Sequence, residues 1–145
     1  RAQTAHPLAL SGSKNYLSVA EGSSSSIRTA AVPEGRVNTL IGHGLYQYGK
    51  EDGLRKTASL QHPSAVAADE KRGVVWIADA YNRKIRSLNM ASNILSTTPI
   101  TQSLGNPCAL AIDDESLWLA DSASSQIHRY FFDTEYLSRI SIQMA

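Results

Sequence analysis

The stretch His62–Asn89 reads HPSAVAADEKRGVVWIADAYNRKIRSLN and decides the fold of this 145-residue chain. It contains short runs rich in valine, isoleucine and tryptophan, separated by turn residues. Such runs, spaced eight to twelve positions apart, are typical of all-β proteins. We therefore predict three strands in this stretch, at about Ser64–Asp69, Val74–Asp79 and Lys84–Asn89, and a fourth just after it, at about Ile94–Thr98.

The turns between these strands follow from their residue types. Glu70–Gly73 and Ala80–Arg83 are the predicted hairpin turns, and Gly73 and Asn82 are the residues expected to accept a positive φ. No segment shows a sustained apolar period of 3.6 residues, so essentially no helix is predicted.

The same pattern occurs three times along the chain. In each copy an acidic residue precedes an isoleucine by six positions, and a proline stands 14 or 16 positions before that acidic residue. The acidic residues are Glu21, Asp79 and Asp121, and the prolines are Pro7, Pro63 and Pro107. Repeats of about 40 residues built from four short strands predict propeller blades.

The predicted architecture is therefore an all-β propeller segment of about three four-stranded blades. Blade 1 covers about 7–42, an insert covers 43–60, blade 2 covers about 61–98 and blade 3 about 105–143. The insert makes the first repeat longer than the second.

A proline, a small-apolar run, a strand that ends in Ala-Asp and the run Tyr-Asn-Arg-Lys-Ile-Arg together resemble the NHL repeat. His62–Asn89 is the closest copy. The resemblance implies a ring of about six blades, so this chain would supply half of it. The stretch 36–53 also resembles the insert of NHL propellers that follow a thioredoxin-like domain, which implies that this chain is the partner-binding portion of such a protein.

The composition limits the classes of function that this sequence supports. The formal charge of +1 does not favour nucleic acid, and the apolar runs are a strand long, too short to span a bilayer. Cys108 is the single cysteine and is predicted to be a small core residue rather than a reactive thiol. We expect no cofactor, and the sequence does not indicate a compartment.

A half-ring is expected to leave apolar flanks bare on its end blades. The chain also opens on Arg1 rather than on methionine. We favour a piece of a longer protein that self-associates as a consequence. The alternative is a natural half-propeller that closes its ring as a homodimer.

Two groups of residues could carry metal or acid–base chemistry. The repeated acidic residues end a strand before a turn, where a carboxylate accepts backbone N–H groups, so we interpret them as structural. His6, His62 and Asn106 precede the three prolines and would lie near a propeller channel, where histidines can bind metal. His6 and His62 are therefore weak metal candidates, and they alone support an enzyme.

The candidate binding residues lie in the insert and in one turn. Tyr46 and Tyr48 lie in the glycine-rich insert. They are candidates because long loops on rigid scaffolds often carry function. Tyr81, Asn82 and Arg83 form the turn of blade 2. With Lys84 and Arg86 this turn makes a basic and aromatic cluster, but the other blades have serines there, which disfavours RNA binding.

The sequence thus predicts a non-enzymatic module that binds an unidentified protein or small molecule through its loops. The alternative is half of a channel-type propeller enzyme, a metal-dependent lyase or lactonase. Fold alone does not decide between them.

Overall fold

The computed structural model describes residues 6–42, 47–100 and 103–140. These stretches form three antiparallel sheets, each of which is one blade. Blade 1 contains β1 (Pro7–Gly12), β2 (Tyr16–Glu21), β3 (Ser26–Ala31) and β4 (Val37–Ile41). Blade 2 contains β5 (Gly53–Leu54), β6 (Pro63–Asp69), β7 (Val74–Asp79), β8 (Lys84–Asn89) and β9 (Ile94–Thr97). Blade 3 contains β10 (Pro107–Ile112), β11 (Ser116–Asp121), β12 (Gln126–Phe131) and β13 (Leu137–Ile140).

The all-β propeller prediction is confirmed, and the four strands predicted for the middle copy lie within one residue of their positions. Within the described stretches, one 3-10 turn, Ala80–Asn82, interrupts the strands. No helix in the described stretches is long and apolar enough to cross a membrane. The insert is more than a loop, because β5 pairs with β9 and adds a fifth, outer strand to blade 2.

The three blades share one register at the start of their first strands. The proline of each blade lies opposite the acidic residue that ends the second strand: Pro7 with Glu21, Pro63 with Asp79, Pro107 with Asp121. A β-bulge follows each proline. Bulges re-aim a strand where pairing begins, so the sequence repeat corresponds to one repeated strand geometry.

The blades pack face to face, with β1 and β10 both against β6. Because side chains alternate across a strand, each blade has two apolar faces. One face of blade 2 packs on blade 1 around Val75, Ile77 and Leu88, and the other packs on blade 3 around Trp76 and Ile85. Blade 2 is therefore buried on both sides.

The junction between blades 2 and 3 is aromatic. The Trp76 ring stacks on Phe132 at 5.1 Å between centroids and meets Tyr130 edge-on at 6.4 Å. The Arg72 guanidinium lies 4.0 Å from the Phe132 ring centroid. Such ring pairs stabilise a core beyond the area they bury.

The turns agree with the sequence at one position and differ at another. Gly73 has φ of 65°, as predicted. Asn82 is not the left-handed residue of the next turn; Arg83 is, at 55°. The reason is that the 3-10 turn ends at Asn82, so the residue after it reverses the chain. Ser25 and Ser125 take the same conformation in the other blades.

Cys108 is exposed, so its prediction as a core residue was wrong. It opens β10 on the side of blade 3 that no other described blade covers. Leu10 of blade 1 is likewise 68% exposed. Within the described residues, the outer flanks of blades 1 and 3 are therefore uncovered.

The core between blades 1 and 2 should dominate stability. Leu88→Ala, at a fully buried position, should lower the free energy of unfolding by about 2–5 kcal/mol because it leaves a cavity. Leu54→Ala, at a leucine that is 58% exposed, is the matched control and should change it by less than about 0.5 kcal/mol. Urea unfolding followed by tryptophan fluorescence measures both. Equal losses in the two variants would contradict this core assignment.

Candidate binding site on the loop face

One face of the molecule is built from the turns after β2, β7 and β11 and from the segments that enter β6 and β10; we call it the loop face. Hydrogen bonds join these parts. The Tyr81 N–H donates to the Gln61 carbonyl at 3.2 Å, and the Ser122 N–H donates to the Asn106 carbonyl at 3.1 Å. In blades 2 and 3, a hydrogen bond therefore joins the turn between the second and third strands to the segment that enters the first strand of the same blade.

Asp79 is the fully buried centre of this face in blade 2. One carboxylate oxygen accepts the Gln61 N–H at 2.7 Å. The other accepts Asn82 Nδ2 at 2.7 Å and the Arg86 guanidinium at 2.7 Å. Burial raises the pKa of Asp79, and these donors act in the opposite direction. The carboxylate thereby ties together the entry to β6, the turn and β8.

Arg86 attaches the insert to blade 2. It is only 1% exposed, so it does not belong to a basic surface cluster as the sequence suggested. Besides Asp79, its guanidinium donates to the carbonyls of Ser59 and Glu51, at 3.1 and 3.0 Å, and to Asp52 Oδ1 at 2.8 Å. A planar fork of donors suits this set of acceptors.

The insert also stabilises itself. Glu51 Oε2 accepts the Ser59 hydroxyl at 2.7 Å, and the Ser59 N–H donates to the Glu51 carbonyl at 3.0 Å. The hydrogen bond from Ser59 lowers the pKa of Glu51 below its ordinary value. The acidic pair 51–52 is therefore engaged within the fold, and the exposed aromatic group of the described insert is Tyr48, 62% exposed.

Tyr48 reaches the junction of blades 1 and 2, where a groove of about 330 Å³ opens on the loop face. Tyr81 lines the same groove and is 64% exposed. The His62 ring stacks on Tyr81 with 4.4 Å between centroids and 22° between planes. The complete lining is Gly22, Ser23, Ser25, Tyr48, Gln61, His62 and Tyr81; we call it the tyrosine groove.

The floor of the tyrosine groove depends on a glycine. A Cβ at Gly22 would lie 2.8 Å from His62 Cε1 and 2.6 Å from Leu8 Cδ1, closer than real Cβ contacts. The His62 N–H also donates to Ser25 Oγ at 3.0 Å. A side chain at residue 22 would therefore force the His62 ring or the Leu8 side chain to shift.

The structure brings some of the predicted residues together and gives others different roles. Tyr48 and Tyr81 lie in one groove, although 33 positions separate them. Asn82 is structural, because its amide donates to Asp79 and to the Gly49 carbonyl at 2.6 Å. Arg83 is exposed beside Tyr81. Tyr46 lies outside the described residues.

Sequence reasoning missed the polar part of the lining. Gly22, Ser23, Ser25 and Gln61 carry no motif of their own, and they become neighbours of Tyr81 through blade packing. The sequence indicated His62 only as a metal candidate. Its position one residue before the repeated proline is the sequence feature that could have indicated its place beside the turn of blade 2.

The residues before the prolines each contact the turn of their own blade. His6 Nδ1 lies 3.1 Å from Ser23 Oγ, His62 stacks on Tyr81, and Asn106 donates to Ser122 Oγ at 2.8 Å. Within the described stretches, no three or more His, Cys, Asp or Glu side chains are grouped so that they could hold a metal ion. These contacts fit a structural role, and the metal role of His6 and His62 stays a prediction.

Blade 3 repeats the carboxylate contact with different partners. Burial acts to raise the pKa of Asp121, but hydrogen bonds from the Gly105 and Asn106 N–H groups, at 2.8 and 2.7 Å, outweigh it, and the pKa lies below its ordinary value. His128 stands where blade 2 has Arg86. Burial lowers the pKa of His128, and neither ring nitrogen has a hydrogen-bond partner among the described residues.

Comparison with known proteins identifies relatives in sequence and in fold. No family model matches the chain. It is 30% identical over 151 residues to NHL repeat-containing protein 2 of Bos taurus, which covers 90% of this chain and 21% of that protein. The human protein of the same name is also 30% identical, over 146 residues. The chain therefore spans about a fifth of the length of these relatives.

Solved structures show the same fold at lower identity. A structural genomics protein of unknown function from Bacteroides thetaiotaomicron matches with a TM-score of 0.72 and 21% identity, covering 80% of this chain and 32% of that one. A catalytically inactive virginiamycin B lyase from Staphylococcus aureus with quinupristin matches with a TM-score of 0.69 and 14% identity, covering 99% of this chain and 43% of that one. At these identities the likeness concerns the fold alone.

Loss of Arg86 should release the insert. Arg86→Met leaves Asp79 buried without its cation, which should cost about 3–5 kcal/mol of unfolding free energy. Hydrogen exchange at the Gly49 and Ser59 amides should accelerate, because their bonds lie within the insert. Arg83→Met, at the exposed arginine of the turn before β8, should leave both quantities unchanged. Unchanged exchange in Arg86→Met would show that the insert is anchored elsewhere.

Asp121 should make stability depend on pH. Its pKa is lower in the folded state, so its stabilisation is complete above the ordinary aspartate value of about 3.9 and is lost as the pH falls through the folded pKa. Asp121→Asn should therefore cost about 1–3 kcal/mol at pH 7 and progressively less below about pH 4. Urea unfolding from pH 7 to 3 measures this. Asp114→Asn, at an exposed carboxylate, is the control, and a cost for Asp121→Asn that does not vary with pH would contradict the argument.

Proposed function

Because this chain belongs to the NHL-repeat β-propeller family, we propose that it is a non-enzymatic binding module that takes a polypeptide segment of a partner protein in the tyrosine groove. The observation that carries the proposal is the meeting of Tyr48, Tyr81 and His62 on one exposed surface. Tyrosines with large exposed rings are enriched among the residues that dominate protein interfaces.

The groove is prepared for binding before a partner arrives. Arg86 holds the insert that carries Tyr48, Asp79 holds the turn that carries Tyr81, and stacking orients His62. A surface that is already ordered loses less conformational entropy on association. This supports a docking surface with a defined geometry.

The polar groups around the groove indicate the chemistry of the partner segment. Ser23, Ser25 and Gln61 supply hydrogen-bonding groups between the rings. Arg83 and Lys84 are exposed next to Tyr81 and are positively charged. We expect a segment with one apolar or aromatic anchor and a neighbouring acidic residue, since complementary charge adds specificity.

A longer protein that contains this chain would determine the biological use of the tyrosine groove. The insert that resembles those of propellers following a thioredoxin-like domain supports a role as the partner-binding portion of such a protein. A metal-dependent lyase or lactonase remains the alternative function, and it rests on His6 and His62.

Truncation of the groove tyrosines should remove binding. A peptide selected on this protein from a random displayed library is the probe, and calorimetry measures its affinity. Tyr81→Ala and Tyr48→Ala should each weaken binding by about tenfold or more, the effect of losing an interface hot spot. Tyr136→Ala is the matched control, since Tyr136 is 62% exposed but lies in blade 3. It should bind as the unmodified protein does.

Binding that survives in both groove variants, or falls equally in Tyr136→Ala, would contradict the proposed site. Charge reversal of an acidic residue in the selected peptide is a further check. It should weaken binding to the unmodified protein and have little effect on the double variant Arg83→Ala/Lys84→Ala, because that variant lacks both complementary charges.

A further inference from the structure

A second groove lies between blades 2 and 3, on the outer side of their junction, and has a volume of about 370 Å³. The turn between β12 and β13 lines one side of it, and strands β8 and β9 of blade 2 line the other. Its lining combines hydroxyl groups, three aromatic rings, one arginine and two carboxylates. Because blades 2 and 3 pack on each other, this groove belongs to an interior junction and not to an outer flank. We call it the acidic groove.

The Tyr130 side chain is a buried polar group of the acidic groove. It is 3% exposed, lines the groove and meets Trp76 edge-on. Its hydroxyl makes no hydrogen bond to any residue that the structure describes, although a buried hydroxyl normally has a partner. Burial raises the pKa of Tyr130, and the negative charge of Glu135 raises it further. The hydroxyl is therefore protonated at neutral pH and free to bind a ligand.

The two carboxylates of the acidic groove belong to Asp133 and Glu135. Both side chains are exposed, and neither forms an ion pair with a described residue. The arginine of the groove, Arg72, already has partners: it donates to Asp69 Oδ2 at 3.4 Å and to the Asp114 carbonyl at 2.6 Å. The groove therefore has an excess of negative charge that no described side chain neutralises.

The negative charge continues onto the neighbouring turn, between β10 and β11. The Phe132 N–H donates to the Glu115 carbonyl at 3.1 Å, so the two turns of blade 3 are joined. The side chains of Asp114 and Glu115 are exposed and form no ion pair within the described chain. A small cation in the groove would leave these two carboxylates without a partner. An extended chain with several basic residues could neutralise them as well, which favours a polypeptide.

The blade repeat shows that the fold does not require these polar side chains. At the places of Tyr130 and Glu135, blade 2 has Leu88 and Asn93. The position of Glu135 is left-handed in both blades, with φ of 56° in blade 3 and 60° in blade 2. Asparagine adopts this conformation more readily than glutamate does. The turn alone therefore gives no reason for a glutamate at this position.

We propose that the acidic groove binds a basic segment of a partner protein, with a lysine or arginine side chain between Tyr130 and Glu135. The cationic group donates to the Tyr130 hydroxyl oxygen and to the Glu135 carboxylate. Further basic residues of the segment lie over Asp114 and Glu115. Hydrogen bonds in which both groups are charged are stronger than neutral ones. This site is distinct from the tyrosine groove, which lies at the junction of blades 1 and 2.

Fluorescence anisotropy with a labelled peptide tests the proposal. The probe is an octapeptide of alternating arginine and serine, and the control peptide has citrulline, an uncharged isostere, in place of each arginine. The arginine peptide should bind and the citrulline peptide should not. Equal binding of the two peptides, or no binding of the arginine peptide, overturns the proposal. Ethylguanidinium that binds as tightly as the arginine peptide overturns the polypeptide as occupant.

Single variants test the position of the site. Tyr130→Phe removes only the unpartnered hydroxyl, and Glu135→Gln removes one charge. Each should weaken binding of the arginine peptide by about tenfold. Glu34→Gln removes the same charge from the exposed turn at the corresponding place in blade 1, and it should change the affinity by less than about twofold. Tyr81→Ala, in the tyrosine groove, should leave the affinity unchanged, so the two binding sites are tested independently.

Thermal unfolding separates loss of the site from loss of the fold. Tyr130→Phe and Glu135→Gln should unfold at the same temperature as the unmodified chain, because the removed groups have no partner within the described residues. Glu135→Asn introduces the residue that blade 2 has there, so it should lose binding while remaining at least as stable. Unchanged affinity in Tyr130→Phe and Glu135→Gln, or an equal loss in Glu34→Gln, overturns the proposal.

Discussion

The carboxylate at the end of the second strand is the interaction on which each blade depends. A buried carboxylate is tolerated only if its oxygens are satisfied. Asp79 is satisfied by the entry to the first strand, by the following turn and by Arg86 of the third strand. One side chain therefore positions three segments of the blade. Glu21 uses Arg28 and two serine hydroxyls, and Asp121 uses backbone N–H groups.

Differences around this shared contact determine where the molecule can bind. In blade 2 the Arg86 guanidinium and the Asn82 amide also bind the insert, so Tyr48 is held beside the turn of that blade. In blade 3 the same place holds His128, and burial lowers the pKa of this histidine. The tyrosine groove thus lies at the junction of blades 1 and 2 because the insert that carries Tyr48 is held there.

The packing of blades explains why blade 2 is buried on both faces and why residues on the outer faces of blades 1 and 3 are exposed. Alternation along each strand gives every blade two apolar faces, and a neighbour on each side is needed to bury them. Blade 2 has both neighbours and is closed. Among the residues that the structure describes, blades 1 and 3 have one neighbour each, and Leu10 and Cys108 are exposed on their other faces.

The sequence by itself determined the strands, the blade repeat and the recurring spacing of proline and acidic residue, because these depend on local alternation and spacing. It indicated Tyr48 and Tyr81 as separate candidates. Tertiary structure alone decided that they share a groove with His62 and Gly22, that Arg86 is buried, and that Arg83 rather than Asn82 is left-handed. These facts depend on contacts between residues distant in the chain, such as His62 with Tyr81 and Gly22 with His62, or on side-chain hydrogen bonds that compete within a turn. No local pattern encodes such contacts, since they form only when blades pack.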